Sequence, residues 1–411
     1  MSKTGKNLTD LLDSNRSHIM YYLAKHPGCS RAELGESTGL TLASITKIIH
    51  SLMECDAIYE TGFSEGKKGR RSVGLSFNYE KYKILAVKLS WSRLEMQPYD
   101  FLGKAYGKLI SIPYVNITTD NIKYVIQAIV DGIKSFCAQF PEIAGIGMAV
   151  PGPCYRDTGT ILLPPYNVDP AKRHYYPLKE KLSEYTTLPI FIEHDADAGA
   201  LAYWWFESPD EKDTVIMNIV ADDGVGVGLV DDGIVFTGTN NCSCELGHIS
   251  LDYNGRICPT CGGRGCINAY CSTQALEEIA KELLLGQPDS ILQSYSNVSC
   301  QTIFQAAKQQ DLFASNLVFE CGKYWGYSIL SLLHVFNPDI IVISGTISLG
   351  GDLLMKGIED TFTKRQTSYT IIPKIKLLPA DTDLTLLGAA TFAIDRMLNK
   401  PTQYLSLSTN N

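Results

Sequence analysis

The sequence predicts an α/β protein in which an N-terminal winged helix-turn-helix precedes a larger α/β body. Three observations carry this. Residues 1–80 show helical apolar spacing with capping residues, followed by a basic stretch between two strand-like segments. From Lys83 onward, short apolar runs alternate with helical stretches, the pattern of an α/β architecture. The chain's 411 residues also exceed what one ordinary core organises. Three units are expected: 1–80, 81–205 completed by a C-terminal helix near 380–400, and 206–379.

In chain order, "SNRSHIMYYLAKHPG" places Ile19, Tyr22 and Leu23 at helical spacing and stops at Pro27 and Gly28. Ser30 with Glu33 three residues on is the capping-box pattern of a short second helix. Gly39 and Leu40 break it, and Thr41 caps a third helix with an apolar stripe of Ile45, Ile48, Ile49 and Leu52. Gly35, four residues before Gly39, lets two helices cross closely around a tight turn. "AIYETGF" and "SVGLSFN" then read as strands joined by "SEGKKGRR", the wing. In that arrangement Thr41, Leu42, Ser44, Thr46 and Lys47 face a DNA major groove. Lys67, Lys68, Arg70 and Arg71 meet phosphates or a narrow minor groove, and Arg31 joins the DNA-contacting set. The plainer alternative is a solvated basic loop beside a three-helix bundle. Residues 1–78 hold ten basic and eight acidic side chains, a net +2, so the rest of the chain carries −10 of a total of −8.

In the body, "KILAVKLS", "AGIGMAV", "LPIFIEH", "TVIMNIV" and "DIIVISG" are candidate strands, and "VGLVDDGIVFTG" a hairpin, so mixed sheets are expected. Four stretches here could carry chemistry. "AVPGPCYRDTG" is a turn after a buried strand, where backbone could approach a ligand, although taken alone it reads first as an ordinary turn. In "FIEHDADAGA", Asp195 stands between a strand and a helix, where a carboxylate can hydrogen-bond a polyol or take a proton, or merely cap the helix with Asp197. In "CELGHISLDYNGRICPTCGGRGC", Cys258, Cys261 and Cys266 lie on a glycine-bent loop ten residues and more after His248. Three thiolates and one imidazole make a closed tetrahedral Cys3His site for structural zinc. Cys242, Cys244 and Cys271 fit that spacing less well and read as packing residues. Finally, "ADDGVGVGLV" and "VISGTISLGGDLL" are glycine-rich turns of the kind that cradle phosphates, but Asp222 and Asp223 would repel a triphosphate.

Composition narrows the classes. With 45% apolar and 19% charged residues the chain is an ordinary globular one. No apolar run approaches the roughly 20 residues of a membrane span, and "MSKTGKNLTD" has no apolar signal core, so a cytoplasmic protein with reduced thiols among its 12 cysteines is expected.

Together these motifs resemble the ROK family (repressors, open reading frames and kinases) over nearly the whole chain, the "ELGH" segment and the cysteine knot most specifically. The resemblance implies a two-lobed, actin-like and hexokinase-like (ribonuclease H-like) body with sugar bound between the lobes. The preceding winged helix is similar to the repressor branch, whose xylose-, N-acetylglucosamine- or glucose-responsive members bind operator DNA as dimers or tetramers and release it when sugar binds. The implied sugar contacts are Gly152, Asn167, His194, Asp195, Glu245, His248 and Asn268, with His248 also a zinc ligand. Asp195 matches the family kinases' catalytic base, and His194 stands where they have Asn.

Two departures separate this chain from the kinases: "AVKLSWSRLE" replaces their DxGxT phosphate loop, and Asp222 and Asp223 replace the Gly-Thr of the other. Phosphoryl transfer depends on positioning those charges. A third touches the sugar, since Asn268 stands where the family has a glutamate after the knot, and an amide suits a different hydroxyl pattern. A sugar-responsive repressor with no catalytic residue and no ATP is therefore expected; the alternatives are a sugar kinase carrying an accessory DNA-binding domain, and a constitutive DNA binder whose lobes only oligomerise.

Overall fold

The computed structural model describes residues 8–65, 71–114, 116–164, 173–207, 215–239, 243–365 and 371–405. At the N-terminus, α1 (Leu8–Lys25) begins six residues before the quoted helical pattern, and a two-residue strand β1 (Cys29–Ser30), which no periodicity announces, precedes α2 (Arg31–Thr38). The capping box forms as read: Glu33 N donates to Ser30 Oγ, and Ser30 N donates to the Glu33 carboxylate at 2.8 Å. Gly39 ends α2 in the left-handed conformation, φ 69°, where a side chain would be strained. Thr41 caps α3 (Leu42–Glu54), whose Ile45, Ile48, Ile49 and Leu52 are all buried. β2 (Ile58–Glu65) and β3 (Arg71–Phe77) pair antiparallel, and β1 joins β3 to complete a three-stranded sheet.

The next lobe contains β4 (Lys83–Leu89), β5 (Arg93–Asp100), β6 (Ile110–Pro113), α4 (Ile122–Gln139) and β7 (Ile143–Val150). It continues with β8 (Cys154–Tyr155), β9 (Thr160–Leu163), β10 (His174–Tyr176), α5 (Leu178–Ser183), β11 (Ile190–His194) and α6 (Asp195–Glu207). Its main sheet runs β11-β7-β4-β5-β6, with β11, β7 and β4 parallel and the other two antiparallel. The second lobe contains β12 (Val215–Ala221), β13 (Val225–Asp231), β14 (Ile234–Val235), α7 (Asn268–Cys271), α8 (Thr273–Leu284) and α9 (Cys300–Lys308). There follow α10 (Leu312–Phe336), β15 (Ile340–Ser344), α11 (Gly351–Arg365) and β16 (Lys374–Leu377). Its sheet, β14-β13-β12-β15-β16, repeats the plan of the first: three parallel strands and an antiparallel hairpin.

The chain then returns to the first lobe. α12 (Leu384–Asn399) packs on β7, β4 and α6, and α13 (Pro401–Tyr404) lies beside α1. Gly147 makes this seat possible, since a Cβ there would stand 1.9 Å from the Ala389 carbonyl oxygen.

The core of the N-terminal head is continuous with that of the first lobe. Ile19, Ile49, Leu52 and Phe77 belong to one buried cluster with Phe101, Ala389 and Met397 of the first lobe. Phe77 stacks on Phe101 with centroids 5.0 Å apart. Burial of a shared apolar surface makes head and lobe separable only at the cost of exposing it.

Candidate functional site

Parallel β11 delivers His194 and Asp195 to the C-terminal edge of the first sheet, where ligands of open α/β sheets bind. Two features close the space around them. Gly152, joined to Pro153 by a cis peptide bond, leaves so little room that a Cβ would lie 2.8 Å from His194 Nε2 and 3.4 Å from Glu245 Oε1. From the second lobe, Gly226 brings β13 against the same spot, its would-be Cβ 3.5 Å from Asp195 Oδ1. Gly152, His194, Asp195 and Glu245 are thus brought together in the cleft. The glycines of "VGVG" pack strand on helix: at Gly228 a Cβ would stand 2.2 Å from the Ala196 carbonyl oxygen.

His194 is flanked by carboxylates on both sides, Asp195 Oδ1 3.3 Å from Nε2 and Asp197 Oδ2 3.7 Å from Nδ1. Burial pulls its pKa down, but Asp195, Asp197, Glu245 and Glu193 outweigh that and raise it. Beneath lies a network that the sequence reading did not single out. Arg156 Nε donates to Glu193 Oε1 at 2.5 Å, and a second guanidinium nitrogen donates to Asp197 Oδ2 at 2.8 Å. Burial, then Glu193, pushes Asp197 up to about 7. The only sequence signal was two acids bracketing Asp195.

The cysteine loop folds as a small hairpin. Cys258 N donates to the Gly263 carbonyl at 2.7 Å, and Gly262 and Gly265 turn the chain with φ of 74° and 71°. His248, Cys258, Cys261 and Cys266 offer donor atoms that all lie within 4.8 Å of one another. Cys261 and Cys266 sulfurs are 3.6 Å apart, and Cys258 Sγ is 3.8 Å from His248 Nδ1. A tetrahedron with 2.3 Å metal–sulfur bonds has edges of about 3.8 Å, close to these two separations, so the donor set suits a metal ion. The cluster adjoins the cleft through one turn, in which His248 N donates to the Glu245 carbonyl at 3.1 Å.

Asn268, the remaining expected sugar contact, has two partners within the protein. It is buried, its amide donates to Thr260 Oγ1 and its oxygen accepts from Val225 N, both at 3.0 Å. It braces the knot against β13. Cys271 is buried and Cys244 half-buried, as packing residues should be, while Cys242 and Asn167 lie outside the described residues.

Both glycine-rich turns are occupied internally. Asp222 Oδ1 accepts from Thr346 N at 2.7 Å, capping the turn after β15. Lys88 Nζ donates to Asp383 Oδ2 at 2.6 Å and lies 3.6 Å from Glu95. Ser92 Oγ crosses between lobes to Asp223 Oδ2 at 3.1 Å.

On the head, Thr41, Leu42, Ser44, Thr46 and Lys47 are all exposed, Leu42 to 62%, an unusual position for a leucine on a helix with a buried stripe. Arg31 instead pairs with Glu60 at 2.9 Å. Lys67, Lys68 and Arg70 lie outside the described residues, and Arg71 opens β3. Among the described residues no helix is long and apolar enough to cross a membrane.

Known proteins share this organisation along its full length. The chain is 26% identical over 407 residues to the xylose repressor of Caldicellulosiruptor bescii, covering 96% of this chain and 99% of the relative. It is 28% identical over 353 residues to the DNA-binding transcriptional dual regulator NagC of Escherichia coli, covering 85% of each. The crystal structure of a ROK family transcriptional regulator, a homologue of the E. coli Mlc protein, superposes with a TM-score of 0.80 at 26% identity, covering 96% of this chain and 99% of that one. With the ROK family profile matching residues 101–396, the greater part of the sequence, the chain belongs to the ROK family.

Proposed function

We propose that this protein is a sugar-responsive transcriptional repressor that binds operator DNA through its head and releases it when a sugar enters the cleft. One observation carries the reading: a winged-helix head with an exposed α3 face shares a continuous core with the lobe that holds the cleft. Its repressor relatives supply the ligand classes, operator DNA and a sugar. Thr41, Leu42, Ser44, Thr46 and Lys47 read the major groove, and the wing lysines and arginines meet phosphates. Gly152, His194, Asp195 and Glu245 receive the sugar hydroxyls, and Asn167 joins them. Zinc on His248, Cys258, Cys261 and Cys266 holds the turn that presents Glu245; three thiolates this close repel one another unless a cation sits between them.

The route from sugar to DNA runs along α6. It begins at Asp195 and ends beside Trp204 and Trp205, and Lys25 of α1 places its ammonium 3.3 Å from the centroid of the Trp204 ring. A sugar that favours one lobe closure moves α6 and with it the seat of the head, a population shift. The repressor acts as a homodimer or homotetramer in the cytoplasm, and phosphoryl transfer is lost because its two loops are tied up by Lys88–Asp383, Asp222–Thr346 and Ser92–Asp223.

A gel-shift with the protein's own upstream promoter DNA, with and without D-xylose, D-glucose and N-acetylglucosamine, tests this. Retarded DNA that one sugar frees is expected. Failure to bind DNA under every condition refutes it, and ADP release above background with any hexose or pentose refutes the loss of kinase activity.

A further inference from the structure

We propose that Arg156 is the positioning residue of the effector site: by bridging Glu193 and Asp197 it holds His194 as an imidazolium in the field of two carboxylates, Asp195 and Asp197, 3.3 and 3.7 Å from its ring nitrogens. This rests on the cleft being the sugar site.

The geometry is a charge sandwich at one strand–helix junction. Glu193 ends the buried part of β11 and Asp197 sits in the first turn of α6, and Arg156 reaches both from the turn after β8. Both carboxylates are buried, and Glu193 Oε2 and Asp197 Oδ1 have no hydrogen-bond partner among the described residues. Buried ionised oxygens without partners are costly, so the one guanidinium is what allows the pair to stand here. Glu193 Oε1 also accepts the backbone N–H of His194 at 2.7 Å, so the clamp is connected directly to the residue it orients.

The charge balance then sets the chemistry of the cleft. Among the described residues, Glu193, Asp195 and Asp197 face two cations, Arg156 and His194. The other titratable groups around the imidazole add no positive charge: Glu245 approaches from the second lobe, and burial raises the Cys154 and Cys244 thiols so that they stay neutral. An imidazolium has N–H donors at both nitrogens and no acceptor, unlike the amide that family kinases carry at this place. It selects ligand oxygens that accept, and its contact with Asp195 removes that carboxylate's use as a base. Because His194 is raised, the imidazolium is present below its folded pKa and lost as pH rises through it; Asp197, raised to about 7, gives up its proton over the neighbouring range. Effector affinity therefore falls as pH rises.

Isothermal titration of the full-length, zinc-loaded protein with D-xylose, D-glucose and N-acetylglucosamine between pH 6 and 9 tests this. Wild-type affinity should weaken toward pH 9. Arg156→Met should lose at least about tenfold in affinity at pH 8, as expected when one partner of a buried charge cluster is removed. Adding Asp197→Asn to that variant restores the original charge balance and should recover most of the loss, whereas Arg156→Lys, able to reach one carboxylate only, should be intermediate. Asp197→Asn alone should move the fall in affinity to lower pH. The inference alone is overturned if the wild type binds a sugar and Arg156→Met binds it equally, or if the double variant, with native circular dichroism and zinc content, is no better than Arg156→Met. Should Arg156→Met fail to fold, a pH profile of Asp197→Asn that superimposes on the wild type overturns it. Absence of binding by the wild type to all three sugars overturns both this inference and the sugar reading.

Discussion

Replacing Tyr21 by phenylalanine removes one oxygen from the joint between head and lobe. That hydroxyl donates to the Asp395 carboxylate of α12 and accepts from Asn399 Nδ2 at 2.9 Å, while its ring, 5.4 Å from Trp205, would stay in place. A hydrogen bond to a charged group contributes about 1.5–3 kcal/mol. Its loss multiplies the fraction of undocked α1 by about ten- to a hundredfold. Amide exchange of peptides from Leu8–Lys25, read by mass spectrometry, should accelerate by that factor, and peptides from α10 and α11 should not change. The size of the effect should depend on pH. Burial raises the Asp395 pKa, with Tyr21, Arg396 and Asn399 pulling it down, so losing the phenol raises it further. A group raised in the docked state favours docking when protonated, so the Tyr21→Phe defect should shrink as pH falls. Unchanged exchange in α1, or equal acceleration everywhere, would refute the view that this contact holds the head.

Other outcomes follow from the same geometry. Cys258→Ser, Cys261→Ser, Cys266→Ser and His248→Asn should each lower zinc per chain by atomic emission; unchanged zinc in Cys261→Ser would remove it from the ligand set. Gly147→Ala should overpack the seat of α12 and destabilise by about 1–3 kcal/mol, seen as a lower denaturation midpoint; an unchanged midpoint would show that α12 is free to shift. Lys88→Met strands the Asp383 and Glu95 carboxylates and should cost about 3 kcal/mol at neutral pH without producing ADP release.

What the sequence revealed and what it hid divide along the range of the interactions. The head was legible because Ser30, Glu33, Gly39, Thr41 and the isoleucine stripe act on neighbours within one or two turns. The metal cluster was legible because three of its ligands lie in nine residues. Arg156 was not, since its partners are 37 and 41 positions away and only the β7–β11 pairing brings them together. Lys88 and Asp383 are separated by 295 positions. The partners of Asn268 within the protein, Thr260 and Val225, lie 8 and 43 positions from it and were not announced by its place after the knot. The glycines after Asp222 and Asp223 illustrate a further limit: small residues suit a phosphate and a tightly packed helix equally, and only the neighbour, here α6, distinguishes the two.

The segment that closes the first lobe is also what the head stands on. Tyr21, Arg16 and Asp13 of α1 bond to Asp395, Thr402 and the Thr402 amide, across 374, 386 and 389 positions of sequence. Contacts of that separation close long loops, whereas α2 and α3 are held by caps and neighbours one or two turns away. Docking of the head is therefore expected late in folding, after its own helices have formed and after the lobe has placed α12.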